Sequence, residues 1–309
     1  MLDTRRLLVL IEVARRGSFS AAADALGYTQ PAISRQIATL EAEVGTMLVR
    51  RVPQGAVLTD AGRLLVERGE TILASLGSVE TELRELAGLE GGRLRLASFA
   101  SAAASVTPLA IARFRERYPA VELDIEMADP IVSIPRLRSG QLDLALSHDP
   151  FDQGDDVAGI ELVHLFDDPM YVVMPAGHPL AAEPVLALAH FAGDPWMLAT
   201  TKTCPDSRLF LRACHAAGFE PQIAFQNDDY PAIIGFVAAG VGVALVPDMM
   251  TRGIRDDVVV RVLDPAPPAR PICAALPVDY RSPAAAAMLE VLDEISAEWV
   301  AVRPALAAA

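Results

Sequence analysis

Lysine is almost missing from this chain: of 26 strong bases, every one but Lys202 is arginine. Cysteine is scarce too, at three, and the odd number (Cys204, Cys214, Cys273) argues against a disulfide framework. Buried, inert thiols are the expectation, with a redox switch as the alternative. The five histidines (148, 164, 178, 190, 215) never fall at a metal-ligand spacing such as HxxxH or HExxH, so no metal and no cofactor is expected. No Walker loop, GxGxxG or GxSxG occurs, and no catalytic residue is assigned. No apolar run is long enough to span a bilayer. Leu7–Ile11 is too short, and too soon followed by Glu12, to be a signal peptide, so the expected location is cytoplasmic, away from membranes.

What is present is globular: 52% hydrophobic and 21% charged residues, in a length that suits two or three domains. Net charge is −14, which argues against nucleic acid until its distribution is considered. Residues 1–60 hold seven arginines against six acids, a net +1. The remaining 19 bases and 34 acids put −15 on the rest. Only the N-terminal part is fit to touch DNA.

That part contains the most informative stretch, Ser18–Val44, which reads as two short helices joined by a tight turn. Ser20 is expected to cap the first, small residues Ala21–Ala23 allow close helix approach, and Gly27 ends it. Thr29 caps the second, with Pro31 in its first turn. Ile33, Ile37, Leu40 and Val44 form a buried stripe. Gln30, Ser34 and Ala38 line another face, flanked by Pro31 and Arg35. Small and hydrogen-bonding groups with an arginine at the edge suit a helix lying in a DNA major groove. The alternative is an ordinary helical hairpin with a polar outer face. A preceding helix, about 4–16, starts at Asp3 and stops at Gly17. Beyond Gly45, Leu48–Leu58 reads as a small hairpin turning at Pro53-Gln54-Gly55, with Arg50 and Arg51 placed for phosphates; a solvated surface hairpin is its plain alternative.

Thr59 or Asp60 opens a long helix to about Leu86, roughly 40 Å in length. Leu65, Ile72, Leu76, Val79, Leu83 and Leu86 follow a heptad seam. Gly69 and Gly77 weaken a lone helix by about 1 kcal/mol each, so pairing with a second copy is inferred. Gly88, Gly91 and Gly92 then make a hinge.

From Arg93 onward strands and helices alternate, which predicts an α/β unit with mostly parallel strands in two lobes. One helix is expected at about 102–117. Strands Leu162–Phe166 and Met170–Met174 are expected to flank a turn at Asp167-Asp168-Pro169. Ligands of such sheets bind beyond the strands' carboxyl ends. Polar residues stand there: Ser98 and Ser101, Asp129, Ser147 and His148, Thr200, Thr201, Lys202 and Thr203, and Asn227 with Asp228. Hydroxyls and helix N–H groups together favour a carboxylate or another small anion. Singly, each is as well explained as a cap or turn former, and Lys202 as a solvated loop residue.

Three phrases, SFSAAADALGYTQPAISRQIATLEAEVG at 18–45, LVRR at 48–51 and LTDAG at 58–62, resemble the LysR-type transcriptional regulators. PRLRSGQLDLAL at 135–146 and VAAGVGVALVP at 237–247 resemble that family's effector domain more loosely. The resemblance implies a winged helix-turn-helix over 1–59, a linker and dimerisation helix with hinge over 60–90, and a periplasmic-binding-protein-like effector domain over 91–309. Its lobe I would span about 91–165 and 270–309, and lobe II about 166–269. It also implies a ligand-responsive regulator, activator or repressor, binding double-stranded DNA at a dyad operator as a homodimer assembled into a homotetramer. RNA polymerase is a further candidate partner, and a small effector would sit between the lobes. Gln30, Pro31, Ser34, Arg35 and Arg51 match the family's DNA contacts, with Ser20, Thr29 and Arg50 as further DNA-binding candidates, and Ser101 and Thr200–Thr203 match its effector segments. Val49 departs from the usual phenylalanine and Met47 from a basic or polar residue, which puts the placing of the wing in doubt. The other readings carried forward are an enzyme, or a small-molecule-binding adaptor, with a helical oligomerisation domain.

Overall fold

The structure, a computed structural model, describes residues 2–52, 55–86, 92–148, 159–183, 186–199, 205–227, 229–265 and 268–303. Contacts within the chain define two compact units, one of Met1–Glu90 with Ser139–Gln141 and one of Gly91–Arg138 with Leu142–Ala309.

The first unit begins with α1 (Thr4–Arg16), whose first turn is capped by the Asp3 carboxylate accepting from the Arg5 amide at 2.8 Å. Then come α2 (Phe19–Leu26) and α3 (Gln30–Val44). Ser18, not Ser20, caps α2: its hydroxyl accepts from the Ala21 amide, and Ser20 lies inside the helix on an exposed turn. Both serines carry a capping hydroxyl, and the turn after Gly17 puts Ser18 in the extended conformation a cap requires. Val9, Leu10, Val13, Ala22, Ala23, Ile33, Ile37 and Leu40 form the core, so the predicted stripe of α3 is the buried one.

Strands β1 (Val49–Val52) and β2 (Gly55–Leu58) make the antiparallel wing, with Val49 paired to Leu58 and Arg51 to Ala56. The turn residues Pro53 and Gln54 lie outside the described residues. Val49 is buried in the same core, filling the place for which its size raised doubt. Three ties hold the wing, to α3, to the helix that follows it and to Gly17 at the end of α1. The Glu41 carboxylate accepts from the Leu48 and Val49 amides at 2.8 and 3.1 Å. The Thr59 hydroxyl donates to the Met47 carbonyl at 2.7 Å and accepts from the Gly62 amide at 3.0 Å. The Ala56 amide donates to the Gly17 carbonyl at 2.7 Å, an approach open only because Gly55 has no Cβ to meet that oxygen.

Helix α4 (Asp60–Leu86) follows. Gly69 faces Leu7 and Ile11 of α1, where a Cβ would make only ordinary van der Waals contact, so the approach of the two helices does not depend on this glycine. Further along, Ile72, Leu76, Val79 and Leu83 are exposed on one seam. Of the predicted hinge, Gly88 and Gly91 lie outside the described residues.

The second unit runs β3 (Arg93–Ser98), α5 (Ala100–Ala103), α6 (Val106–Arg117), β4 (Glu122–Met127), α7 (Pro130–Arg138), β5 (Leu144–His148), β6 (Ile160–Pro175), β7 (Pro195–Ala199), α8 (Pro205–Ala216), β8 (Gln222–Asn227), α9 (Tyr230–Ala238), β9 (Val243–Pro247), β10 (Val258–Arg261), β11 (Ala269–Pro277) and α10 (Pro283–Ala301). The sheet order is β4-β3-β5-β11-β6-β9-β7-β8, with β10 also on β6. The flanking strands are parallel, but β6, β10 and β11 enter antiparallel, so the sheet is less parallel than expected. Two predicted strands prove to be one: β6 passes straight through Asp167-Asp168-Pro169 and changes partner there, from β11 to β9 and β10. The sequence reads as a turn because Asp and Pro favour one; here a tertiary partner for Asp168 overrides that preference. The single helix expected at 102–117 is broken at Ala104-Ser105.

Each half of β6 belongs to a separate core. One gathers Phe99, Phe114 and Trp299 between the sheet and helices α6 and α10. The other packs Phe191, Trp196 and Phe210. These are two lobes joined by the crossing strands. Among the described residues no helix is long and apolar enough to cross a membrane.

Truncating Glu41→Ala leaves two half-buried amides without their charged acceptor. Denaturant unfolding should show a loss of about 2 kcal/mol, and an unchanged midpoint would show that the wing is held without Glu41.

Candidate functional site

The outward side of α3 carries the residues expected to read DNA. Pro31, Arg35 and Ala38 are exposed, and Gln30 and Ser34 are half-buried beside them. Thr29 stands at the N-cap with an extended backbone, yet its side chain makes no capping bond and is exposed. Its hydroxyl is therefore not spent on the helix, as the sequence led one to expect, and is available to a ligand. Arg50 is exposed on β1; the side chain of Arg51 lies outside the described residues. Thr29, Pro31, Ala32, Arg35, Gln36 and Thr39, with Arg6 of α1, line an open groove of about 510 Å³. Polar donors presented on a rigid helix, with arginines at its edge, make a surface fit for base edges and phosphates.

In the second unit the strand ends converge on one buried arginine. Arg270, at the start of β11, is 2% exposed. Its Nε and Nη2 donate to Asp168 Oδ2 at 3.0 and 2.9 Å, its Nη1 to Asp206 Oδ2 at 2.7 Å, and its Nη2 to Ser101 Oγ at 2.7 Å. Asp206 opens α8, Asp168 lies mid-way along β6, and Ser101 is in α5. The Tyr230 hydroxyl donates to Asp206 Oδ2 at 2.8 Å from the first residue of α9. The Met249 amide donates to Asp168 Oδ1 at 3.1 Å. His148, at the end of β5, packs edge-on against Phe99 with ring centroids 4.5 Å apart, and its Nδ1 is 3.5 Å from Asp206 Oδ1. Both of those atoms are buried without a hydrogen-bond partner among the described residues. A second tie between the lobes lies nearby: Arg303, after α10, donates to Asp248 Oδ2 at 3.2 Å, and Arg252 stacks 3.4 Å from the Trp299 ring centroid.

Burial and charge compete in this cluster. Burial pushes the Asp168 carboxyl up to about 6, against the pull of Arg270. Burial also pushes Asp206 upward, but Arg270, His148 and the Tyr230 hydroxyl outweigh it and hold Asp206 below the usual carboxylate range. Burial drives His148 down to about 4, opposed by the Asp206 carboxylate and aided by Arg270, so its ring is neutral at pH 7. Arg270 is raised, since its two carboxylates more than offset burial. Cys214 is pushed up to about 12 by burial, which keeps that thiol inert.

Of the residues expected at the strand ends, the structure brings Ser101 and His148 into this cluster. Ser98 does not join it; its hydroxyl pairs with Thr107 at 2.8 Å. Asn227 makes a turn, its Oδ1 accepting from the Asp229 amide at 2.8 Å. Asp129 is exposed just before α7. Thr200, Thr201, Lys202, Thr203 and Asp228 lie outside the described residues. Arg270, Asp168, Asp206 and Tyr230 were missed. Arg270 sits beside a Pro/Ala-rich turn, and its partners are 64, 102 and 169 residues away. Only its being an unneeded arginine at a strand start could have marked it. No group of three His, Cys, Asp or Glu side chains able to hold a metal occurs among the described residues.

A helix-turn-helix with a wing, followed by a long helix and a two-lobed α/β unit with a polar cluster between its lobes, defines a DNA-binding regulator of the ligand-responsive kind. Comparison with known proteins agrees. Residues 4–63 match the family described as bacterial regulatory helix-turn-helix protein, lysR family, and residues 87–296 match the LysR substrate binding domain. The chain belongs to the LysR family. A relative described as probable HTH-type transcriptional regulator LrrA, from Synechococcus elongatus, is 32% identical over 96% of this chain and 98% of its own. The HTH-type transcriptional regulator AlsR of Bacillus subtilis is 27% identical over 85% of this chain and 86% of its own. The crystal structure of CbnR, a LysR family transcriptional regulator, shares the fold: TM-score 0.75, 23% identity, covering 96% of this chain and 99% of that one. The full-length CbnR complexed with its target DNA aligns equally well, over 95% and 100% of the two chains. The chain is thus a ligand-responsive, sequence-specific DNA-binding transcriptional regulator, and the enzyme reading gives way, since these relatives are transcriptional regulators.

Two outcomes are expected of the buried cluster. Arg270→Met strands two buried carboxylates, and denaturant unfolding should register a loss of about 3–5 kcal/mol; a near-neutral result would mean the carboxylates find other partners. His148 titrates near 6.5 when unfolded and near 4 when folded. Its contribution is therefore complete above pH 6.5 and is lost as pH falls toward 4, about 3 kcal/mol in all. Asp168 acts with the opposite sign between about 6 and 3.8, but is common to both proteins compared. The stability advantage of the native chain over His148→Asn should shrink as pH drops through this window; a difference independent of pH would refute the assignment.

Proposed function

We propose that the chain binds a dyad operator as a homodimer joined through α4, that two dimers associate as a homotetramer, and that a small anionic effector between the lobes sets its action on transcription. The protein works in the cytoplasm, where its DNA partner is, and RNA polymerase is the further partner through which binding acts on transcription. The working division is a DNA-binding domain at 1–59, a linker at 60–90 and an effector domain at 91–309.

The observation that carries the dimer is the exposed seam of Ile72, Leu76, Val79 and Leu83 on α4. Apolar side chains at heptad spacing, 42 to 60% exposed, gain by pairing with a second copy. The anionic effector is supported by the chemistry around Arg270. A guanidinium, the Ser101 hydroxyl and the Tyr230 hydroxyl are what a carboxylate ligand would use; the chain's own Asp206 now occupies the guanidinium and the Tyr230 hydroxyl, while Ser101 accepts from Arg270. An effector that takes over these donors releases Asp206 of α8 from both Arg270 and Tyr230 of α9, and so changes how the lobes are held. Residues Thr200–Thr203 belong to this reading as the segment matching the family's effector contacts, alongside Ser101.

The deciding experiment is selection of bound fragments from genomic DNA by the full-length protein at near-physiological salt, where phosphate contacts alone retain little. A few discrete sites with dyad symmetry are expected. On such a site Arg35→Ala should weaken binding by about 1–3 kcal/mol and relax sequence preference. Sites without dyad symmetry would count against the paired heads, and unchanged affinity against Arg35 as a reader.

A further inference from the structure

The groove beside α3 contains one arginine that the base-reading face does not use. Arg6 projects from the first turn of α1, whereas every other lining residue lies on or just before α3. Thr29, Ala32, Gln36 and Thr39 recur at intervals of three and four, and so define one helix face. This face adjoins the Gln30, Ser34, Ala38 face, and Pro31 and Arg35 separate the two. The groove lining includes two arginines and no carboxylate. Of its hydroxyls, that of Thr39 donates to the Arg35 carbonyl at 2.9 Å, whereas that of Thr29 makes no capping bond.

Arg6 has a partner at the rim. Its Nη1 is bonded to the carboxylate of Glu43, in the last turn of α3, and about a quarter of each side chain is exposed. An ion pair this open to water is weak and exchanges readily. Glu43 differs in this from Glu41 on the same helix, whose carboxylate is committed to the wing amides.

A helix that enters the major groove by one face is flanked by the phosphates of both strands. On one side the wing arginine Arg50 is available. We propose that the groove between α1 and α3 takes the phosphodiester backbone on the other side, with Arg6 as its phosphate-binding residue, exchanging Glu43 for phosphate when DNA arrives. Glu43 holds the guanidinium over the groove in the free protein, which lowers the entropy lost on binding, and also competes with the phosphate, which limits retention on bulk DNA.

The test needs no operator, because phosphate contacts are independent of sequence. Binding of the full-length protein to a fluorescent duplex of arbitrary sequence is followed between about 50 and 200 mM salt. Arg6→Ala should flatten the slope of log K against log salt by about 0.9 per reading head. Arg6→Lys, which keeps the charge, should leave it near the native value, and so should Arg115→Ala, which belongs to the second unit. Glu43→Gln should tighten binding at low salt, and that gain should disappear in the double variant Arg6→Ala/Glu43→Gln. Thermal unfolding of each variant confirms that it is folded. A native slope in Arg6→Ala overturns the proposal. So does a Glu43→Gln gain that survives the loss of Arg6, because the carboxylate would then be repelling DNA without involving Arg6.

Discussion

A guanidinium withdrawn from water has to be satisfied where it lies, and Arg270 sets that condition for the whole regulatory unit. Two carboxylates and a hydroxyl meet it, and each comes from a different element: β6, α8 and α5. None of these groups is tolerable in isolation at such burial. The arginine therefore dictates how α8 approaches the crossing strands, why β6 runs uninterrupted through an Asp-Asp-Pro sequence, and where the strand ends leave polar atoms. The cost of a wrong partner is steepest here, which makes the cluster a natural point at which a small ligand can alter the relation between lobes.

The DNA-binding unit uses a milder device. Its apolar core is small, so the wing is placed by backbone groups rather than by bulk. Glu41 reaches from α3 to two wing amides, Thr59 bridges the wing to α4, and Gly55 lets the strand touch the Gly17 carbonyl. These contacts pin Arg50 relative to the exposed face of α3. Val49, smaller than the aromatic usual at its place, still fills the core because the strand is held close by these bonds.

The two units also divide the charge. The arginine-rich head meets a polyanion while the acidic remainder repels it, so contact is confined to one surface even though the chain as a whole is strongly acidic. Within the regulatory unit the acids at Asp168 and Asp206 serve a different end, neutralising a buried cation.

The sequence by itself determined the local elements and the reading head. Ile33, Ile37 and Leu40 were legible as the buried side of α3 because a helix repeats every 3.6 residues, and the glycines after α1, α2 and α3 marked their ends because a left-handed residue is needed there. Family phrases identified the two kinds of domain, and they were specific because DNA reading leaves a narrow choice of residues on one short helix. Tertiary structure decided the rest. Ser18 rather than Ser20 became the cap once the backbone path was settled. Asp168 became a strand residue because Arg270 lay across from it. Ser98 and Asn227 were drawn into local bonds, whereas Ser101 and His148 met at the cluster. No short-range pattern could reveal Arg270, since periodicity and capping act over a few residues and its partners are scores of residues away; only folding brings those charges within bonding distance.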